Sequence, residues 1–236
     1  MSFLKAEWRK LVLANYVVEP AVLLKYLPAK TELDEWNGRC YVSVVGFMFL
    51  NTKLMGLSIP FHRNFEEVNL RFYVKYQDGN TWKRGVVFIK EIVPKPALTF
   101  VANTVYKEHY QTLRMSHEWD ETPEKLFVKY AWEVNKQTNY IAVNAAPNPE
   151  EIAVGSEAEF ITEHYWGYTK TSKTSTLEYE VRHPRWEAYQ VNDFEVQVDF
   201  KANYGEDFAF LSEQRPFSVM LAEGSEVSVE NKRTLP

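Results

Sequence analysis

Cysteine is nearly missing from this chain: Cys40 stands alone, so no intrachain disulfide is possible and folding must rest on packing. Long apolar runs are missing too, since no segment approaches the roughly 20 residues that a membrane-spanning helix needs. The start, Met1-Ser2-Phe3-Leu4-Lys5-Ala6-Glu7-Trp8, lacks the basic stretch and apolar core of a secretory leader. Together these absences predict a cytoplasmic protein without a membrane partner. Positive charge is short: 27 Lys and Arg against 32 Asp and Glu give a formal net charge of -5, and the basic residues occur only as scattered pairs. Such a surface has no field to concentrate a phosphate backbone, which argues against nucleic acid as a partner. Nine glycines and eleven prolines in 236 residues leave no room for a low-complexity linker, so one domain spanning residues 1–236 is expected. There is no Gly-x-Ser-x-Gly elbow, no Gly-rich phosphate loop, and no His-Glu-x-x-His or Cys-x-x-Cys pair. The familiar hydrolase, nucleotide and zinc chemistries therefore lack their residues, and neither metal nor cofactor is expected.

What is present is aromatic and β-branched. Hydrophobic residues make up 45% of the chain and aromatics 15%, enough for a packed core, and Val, Tyr, Phe, Thr and Trp recur in short alternating runs. The expected class is mainly β with a few short helices. Residues 11–18 read as a first strand, and Pro20 opens a short helix over 20–27. Asn37-Gly38 predicts a hairpin between 31–36 and 39–49, followed by a loop over 50–64 that could overhang a barrel mouth. Further strands are expected over 65–74, 85–93, 110–119, 125–135, 176–181, 186–198, 217–221 and 227–229. The helical stripe Ala97, Leu98, Val101, Ala102 and Val105 predicts a helix packed on a sheet. Ser156-Glu157-Ala158-Glu159 has the form of a capping box before a helix through His164.

Chemistry concentrates in the stretch 65–74. Alternation puts Val68, Leu70, Phe72 and Val74 on one face, expected to pack against the 97–105 helix, and Glu67, Asn69, Arg71 and Tyr73 on the other. Turned inward, these polar side chains stand about 7 Å apart in succession and form one pocket wall. Arg71 then offers a planar fork to a carboxylate, with Glu67 and Asn69 fixing orientation. Turned outward with Lys75, they form an ordinary solvated face. An ion pair with Arg71 would hold the Glu67 carboxyl below its usual range. Tyr73 is placed to bond Glu67 or Arg71, or simply to pack. His183, biased to extended backbone by Pro184, suits a cavity mouth as acid, base or donor, or a structural histidine bonded to backbone. His109 and His117 lie too far apart on one strand to share a metal, and His164-Tyr165-Trp166 reads as aromatic packing.

The run Glu67-Val68-Asn69-Leu70-Arg71-Phe72-Tyr73-Val74 resembles the Glu-x-Asn-x-Arg-x-Tyr-Val signature of the YqjF-like bacterial family, which carries a domain-of-unknown-function label. Leu27-Pro28, Asn37-Gly38-Arg39, Phe160-Ile161-Thr162-Glu163-His164-Tyr165 and His183-Pro184-Arg185-Trp186 agree in order, so the resemblance spans almost the whole chain. It implies the acetoacetate decarboxylase-like fold, a mostly antiparallel β-barrel with attached helices and one interior cavity. That decarboxylase works through a Schiff-base lysine beside a second lysine, whose charge and burial lower the amine pKa. This chain has no Lys-Lys pair; Lys95 lies between two prolines, and Lys107 precedes Glu108. An acidic neighbour stabilises an ammonium, the wrong direction for imine formation. The expected function is the binding of a small, partly apolar carboxylate or carbonyl ligand in a barrel cavity. The alternatives are a lyase-like enzyme acting on a keto acid, or an interaction module with a filled interior.

Overall fold

The computed structural model describes residues 2–235, the side chains of Val105 and Tyr106 excepted. The chain opens with strand β1 (Leu4–Val18), passes through helix α1 (Pro20–Leu24) and strand β2 (Thr31–Leu33), and runs back and forth in the long strands β3 (Cys40–Leu54), β4 (Phe65–Asp78) and β5 (Thr81–Val93). Helix α2 (Pro96–Val101) continues as a π-helical turn (Ala102–Tyr106) before β6 (Tyr110–Thr112), and β7 (Met115–Glu121), β8 (Leu126–Val134) and β9 (Gln137–Glu151) form a meander. Helix α3 (Glu157–Thr162) leads to β10 (Trp166–Lys170), β11 (Thr176–Arg182) and β12 (Glu187–Gln197). Helix α4 (Phe200–Tyr204) and a 3-10 turn (Glu206–Glu213) precede β13 (Ser218–Val229) and β14 (Arg233–Thr234).

Seven strands close on themselves in the order β1, β3, β4, β5, β10, β11, β13 and back to β1. Every seam of this ring is antiparallel except β5 to β10, where Trp166 faces Gly85 and Gly167 faces Val86 in parallel. From β13 the sheet continues outward through β12, β9, β8 and β7 as a wing. The outer face of the ring packs on this wing: Val68, Leu70, Phe72 and Val74 share one core with Leu126, Val128, Tyr130, Ile141 and Val143. The approach is close, since a Cβ on Gly46 would sit 2.8 Å from the Ile141 Cδ1. The expected partner of that face was the 97–105 helix. The wing takes the place instead, because a whole sheet covers far more apolar area than one turn and a half of helix. Among the described residues, no helix is long and apolar enough to cross a membrane.

Local departures from expectation have identifiable causes. Lys10 takes a left-handed conformation (φ 53°), and the pairing of β1 with β3 slips between Arg9 and Val12. A bulge inverts the alternation, so the pattern looks broken although the strand is continuous. Asn37 and Gly38 both have positive φ and close a tight turn between Trp36 and Arg39. Residues 31–33, however, pair with β4 rather than β3, since β1 and β4 already occupy both edges of β3. The 110–119 segment splits into β6, parallel to β5, and β7, antiparallel to β8. The 50–64 loop is shorter than expected, because β3 runs on to Leu54. Ser156 caps α3 through Oγ, which accepts from the Glu159 amide at 3.1 Å, while the Glu159 carboxylate accepts from the Gly155 amide at 2.6 Å. That helix ends at Thr162, short of His164.

Candidate functional site

The inner face of the ring is where the chemistry collects. Alternation on β4 carries Glu67, Asn69 and Arg71 inward, so this face is cavity and not solvent. On β5 the register slips opposite Leu70 and Arg71, which brings both Phe88 and Glu91 to the same side despite their odd spacing. Parallel pairing of β6 with β5 sets Tyr110 beside Glu91, and the Glu91 amide bonds the His109 carbonyl at 3.1 Å, which carries Glu108 alongside. Tyr179 on β11 closes the wall by lying over Gly167 on β10. The resulting cavity measures about 130 Å³, roughly ten times the 10–15 Å³ that a single water requires. Its other walls are apolar, including Phe47, Phe49, Phe65 and, from α2, Leu98 and Val101. Helix α2 thus serves the polar face of β4, the reverse of its expected position; the side chain of Val105 lies outside the described residues.

Three buried carboxyl groups share this space. Glu67 Oε1 accepts from Asn69 Nδ2 at 3.0 Å and its Oε2 from the Tyr110 hydroxyl at 3.2 Å. Burial outweighs these bonds and the charge of Arg71, and pushes the Glu67 carboxyl up to about 7. Glu108 Oε1 accepts from Thr169 Oγ1 at 2.5 Å and from the Tyr179 hydroxyl at 3.2 Å, and burial pushes it to about 7 as well. Glu91 is raised well above the usual carboxylate range, by burial first and then by Glu108 and Glu67. Arg71 is 8% exposed. Its Nη2 donates to the Ile161 carbonyl at 3.3 Å, its guanidinium lies 5.6 Å from the centre of the Tyr73 ring, and it forms no ion pair among the described residues. The expected Glu67–Arg71 pair is therefore not made, and the Glu67 carboxyl moves up rather than down.

Histidine enters by a route the sequence reading missed. His164 packs against the Tyr73 and Phe160 rings, as expected, but it also lines the cavity. Its Nε2 lies 3.1 Å from Asp34 Oδ2, which also accepts from Arg84 Nε at 2.7 Å. Burial pushes His164 down to about 4, so it is neutral at pH 7 with Nε2–H donating and Nδ1 an acceptor. Eight buried side-chain polar atoms lack a hydrogen-bond partner among the described residues, and five belong to cavity residues: Trp8 Nε1, Asn69 Oδ1, Arg71 Nε, Glu91 Oε2 and His164 Nδ1. Native interiors rarely leave such atoms bare, so five of them at one place make this the most polar-deficient part of the interior.

Other candidates fall elsewhere. Tyr73 turns its hydroxyl to Ser43 Oγ at 2.7 Å and does not line the cavity. His183 stacks on Trp186 with ring centres 4.2 Å apart, bonds the Pro184 carbonyl at 2.8 Å, and lines a separate outer groove with Arg182 and Glu226. Burial under these rings pushes it down to about 4. No lysine lines the cavity among the described residues. Lys107 takes a left-handed, exposed position just outside it, which lets its neighbour Glu108 point in. Lys90 lies half-buried on β5 and bonds the Asn203 carbonyl instead. Among the described residues, no three of His, Cys, Asp and Glu are placed to hold a metal ion. Glu91 had one visible signal, a carboxylate set between apolar residues in Val86-Val87-Phe88-Ile89-Lys90-Glu91-Ile92-Val93.

A closed ring with an attached wing is the fold of the acetoacetate decarboxylase-like proteins. The chain superposes on the acetoacetate decarboxylase of Legionella pneumophila subsp. pneumophila str. Philadelphia 1 with a TM-score of 0.66 at 9% identity, over 99% of this chain and 87% of that one. An acetoacetate decarboxylase-like enzyme from Sphingomonas wittichii RW1 gives 0.67 at 12%, over 100% and 94%. The enduracididine biosynthesis enzyme MppR, complexed with pyruvate, gives 0.70 at 11%, over 100% and 91%. At these identities the likeness concerns the fold. The chain belongs to DUF2071, a family of uncharacterized conserved proteins, which it matches over residues 5–226. The uncharacterized protein YqjF of Bacillus subtilis (strain 168) is 26% identical over 188 residues, 78% of this chain and 74% of that protein.

Proposed function

We propose that the ring cavity binds a small, partly apolar carboxylate, or an acid that also carries a carbonyl, with Arg71 as its anchor. The observation that carries this reading is a buried guanidinium with, among the described residues, one long hydrogen bond, a bare Nε and no carboxylate partner. A buried charge without a counter-charge is strongly unfavourable, and an incoming anion supplies one while filling both arms of the fork. The apolar walls match the remainder of such a ligand, and the Trp8 Nε1–H and a protonated Glu91 can donate to its oxygens. The pyruvate complex of MppR adds a precedent for a keto acid within this fold. A lyase using an imine is less well supported, since Lys95 and Lys107 both lie outside the lining.

Thermal-shift titration and calorimetry with acetate, butyrate, benzoate and pyruvate test the reading, each compared with its neutral amide. The acids should bind and the amides should not, and Arg71→Met should abolish the difference. Equal binding of acid and amide would remove Arg71 as anchor.

A further inference from the structure

Resting on the binding reading above, we propose that Glu67 and Glu91 act as base and acid on an anchored 2-oxo acid, exchanging the proton on the carbon beyond its carbonyl without any covalent link to the protein. The geometry that points to this is the order of groups along the wall. Glu91 on β5 faces Asn69 on β4, and Asn69 stands between Arg71 and Glu67. The cavity therefore presents, in sequence, a guanidinium, a carboxyl and a second carboxyl. A 2-oxo acid presents a carboxylate, a carbonyl and an enolisable carbon in that same sequence. A 3-oxo acid places its most acidic carbon between carboxylate and carbonyl, which does not match. The cluster is more than a group of acids, because Arg71 Nε and Glu91 Oε2 are buried, unpartnered and part of the same lining.

In the forward step Glu67 removes a proton from C3. The electron pair of the C–H bond becomes the second bond between C2 and C3, the carbonyl pair moves onto oxygen, and that oxygen takes the proton of Glu91. The reverse step restores the keto acid, and in heavy water it returns a deuteron. Tyr110 links the two carboxyls, with its hydroxyl donating to Glu67 Oε2 at 3.2 Å and interacting with the Glu91 side chain. It thus lies on a path by which the proton pair can be reset. Burial supports the assignment: it favours the neutral, donating form of Glu91 and brings the Glu67 carboxyl up to about 7.

The test is proton NMR of pyruvate in heavy water with the intact chain. The methyl signal should decay faster than in a protein-free blank, and borohydride added to a parallel sample should leave every lysine unmodified by mass. Glu67→Gln and Glu91→Gln should each slow the exchange by about 100-fold or more, the loss typical for a positioned acid or base, while a pyruvate-induced thermal shift persists. Glu67→Asp, which keeps the carboxylate, should retain part of the rate. A wild-type protein that shows the pyruvate shift but no exchange above the blank would overturn the acid–base pair and leave the binding reading standing. No shift with pyruvate would overturn the binding reading itself. Exchange accompanied by a reduced adduct on a lysine would overturn the non-covalent route.

Discussion

Arg71→Met keeps an unbranched side chain of similar reach and deletes the guanidinium, so it isolates the cost of the buried charge. In the ligand-free protein that charge holds one bond, 3.3 Å from Nη2 to the Ile161 carbonyl. A hydrogen bond to a charged group contributes about 1.5–3 kcal/mol, and one of this length belongs at the low end. Against it stands the desolvation penalty of a nearly fully buried ion, several kcal/mol after relaxation. Glu67 adds little to the balance, because without Arg71 its carboxyl is freer still to remain protonated. The variant should therefore be more stable than the parent by about 1–3 kcal/mol in the absence of ligand. For a chain of this size that raises the melting temperature by roughly 2–12 °C. Urea unfolding with an unchanged m-value is the assay. The ligand response should invert: a carboxylate at a hundred times its Kd stabilises the parent by about 2.7 kcal/mol and the variant not at all. A loss of about 3 kcal/mol in the variant, as when one member of a buried ion pair is removed, would refute the reasoning. It would show that Arg71 holds Glu67 in solution.

The carboxyls predict an unusual pH profile. Glu67 and Glu108 sit near 7, and burial raises Glu91 well above its ordinary 4.5, so the folded chain holds protons that the unfolded chain releases. Their contribution is complete below about 4.5 and fades as pH rises through 7, by about 1.4 kcal/mol per pH unit for each proton. His164 and His183, both lowered from 6.5 to about 4, oppose this only below 6.5, where the unfolded chain takes up protons that the folded chain refuses. Urea midpoints should thus fall as pH rises toward 7, most steeply above 6.5, and a flat or rising series there would contradict the burial of the three acids. Gly167→Ala would place a Cβ 2.2 Å from the Tyr179 Cζ; it should cost about 1–3 kcal/mol as overpacking and weaken carboxylate binding by moving the Tyr179 hydroxyl off Glu108, both read in one thermal titration. Acetoacetate with borohydride should leave Lys95 and Lys107 unmodified by mass spectrometry, and a reduced adduct on either would restore the imine route.

The strand pattern around Glu67 was legible because period two is short-ranged: four apolar and three polar positions identified the two faces of β4 before any partner was known. What covers each face is a long-range question, and there the sequence misled. The wing strands that pack on this face, β8 and β9, begin only at Leu126, so nothing near residue 70 signals that a sheet rather than α2 packs on Phe72. Strand β9 escaped notice because Pro147 and Pro149 fall within it, in its partly exposed outer part. Half of the site was hidden for a similar reason. Glu108 looked like a charge beside a lysine, and only the left-handed turn at Lys107 shows that the two side chains part. His183 was attractive as a residue before proline, yet Trp186 and Tyr165 hold its ring in an outer stack.

The ring is sealed by its first and last long strands: Leu4 faces Val229 and Trp8 faces Ser225. A chain emerging from the ribosome can pair β3 with β4 and β4 with β5 early, and can build the wing meander by itself, but β1 must wait with one edge unpaired until β13 has been made. Closing so long a loop is entropically slow. During that wait the walls that later surround Arg71 are only partly assembled, and the three acids remain near water and ionised. The cavity, its raised carboxyls and the proposed anion site are therefore expected to arise late and together, when the final strand docks.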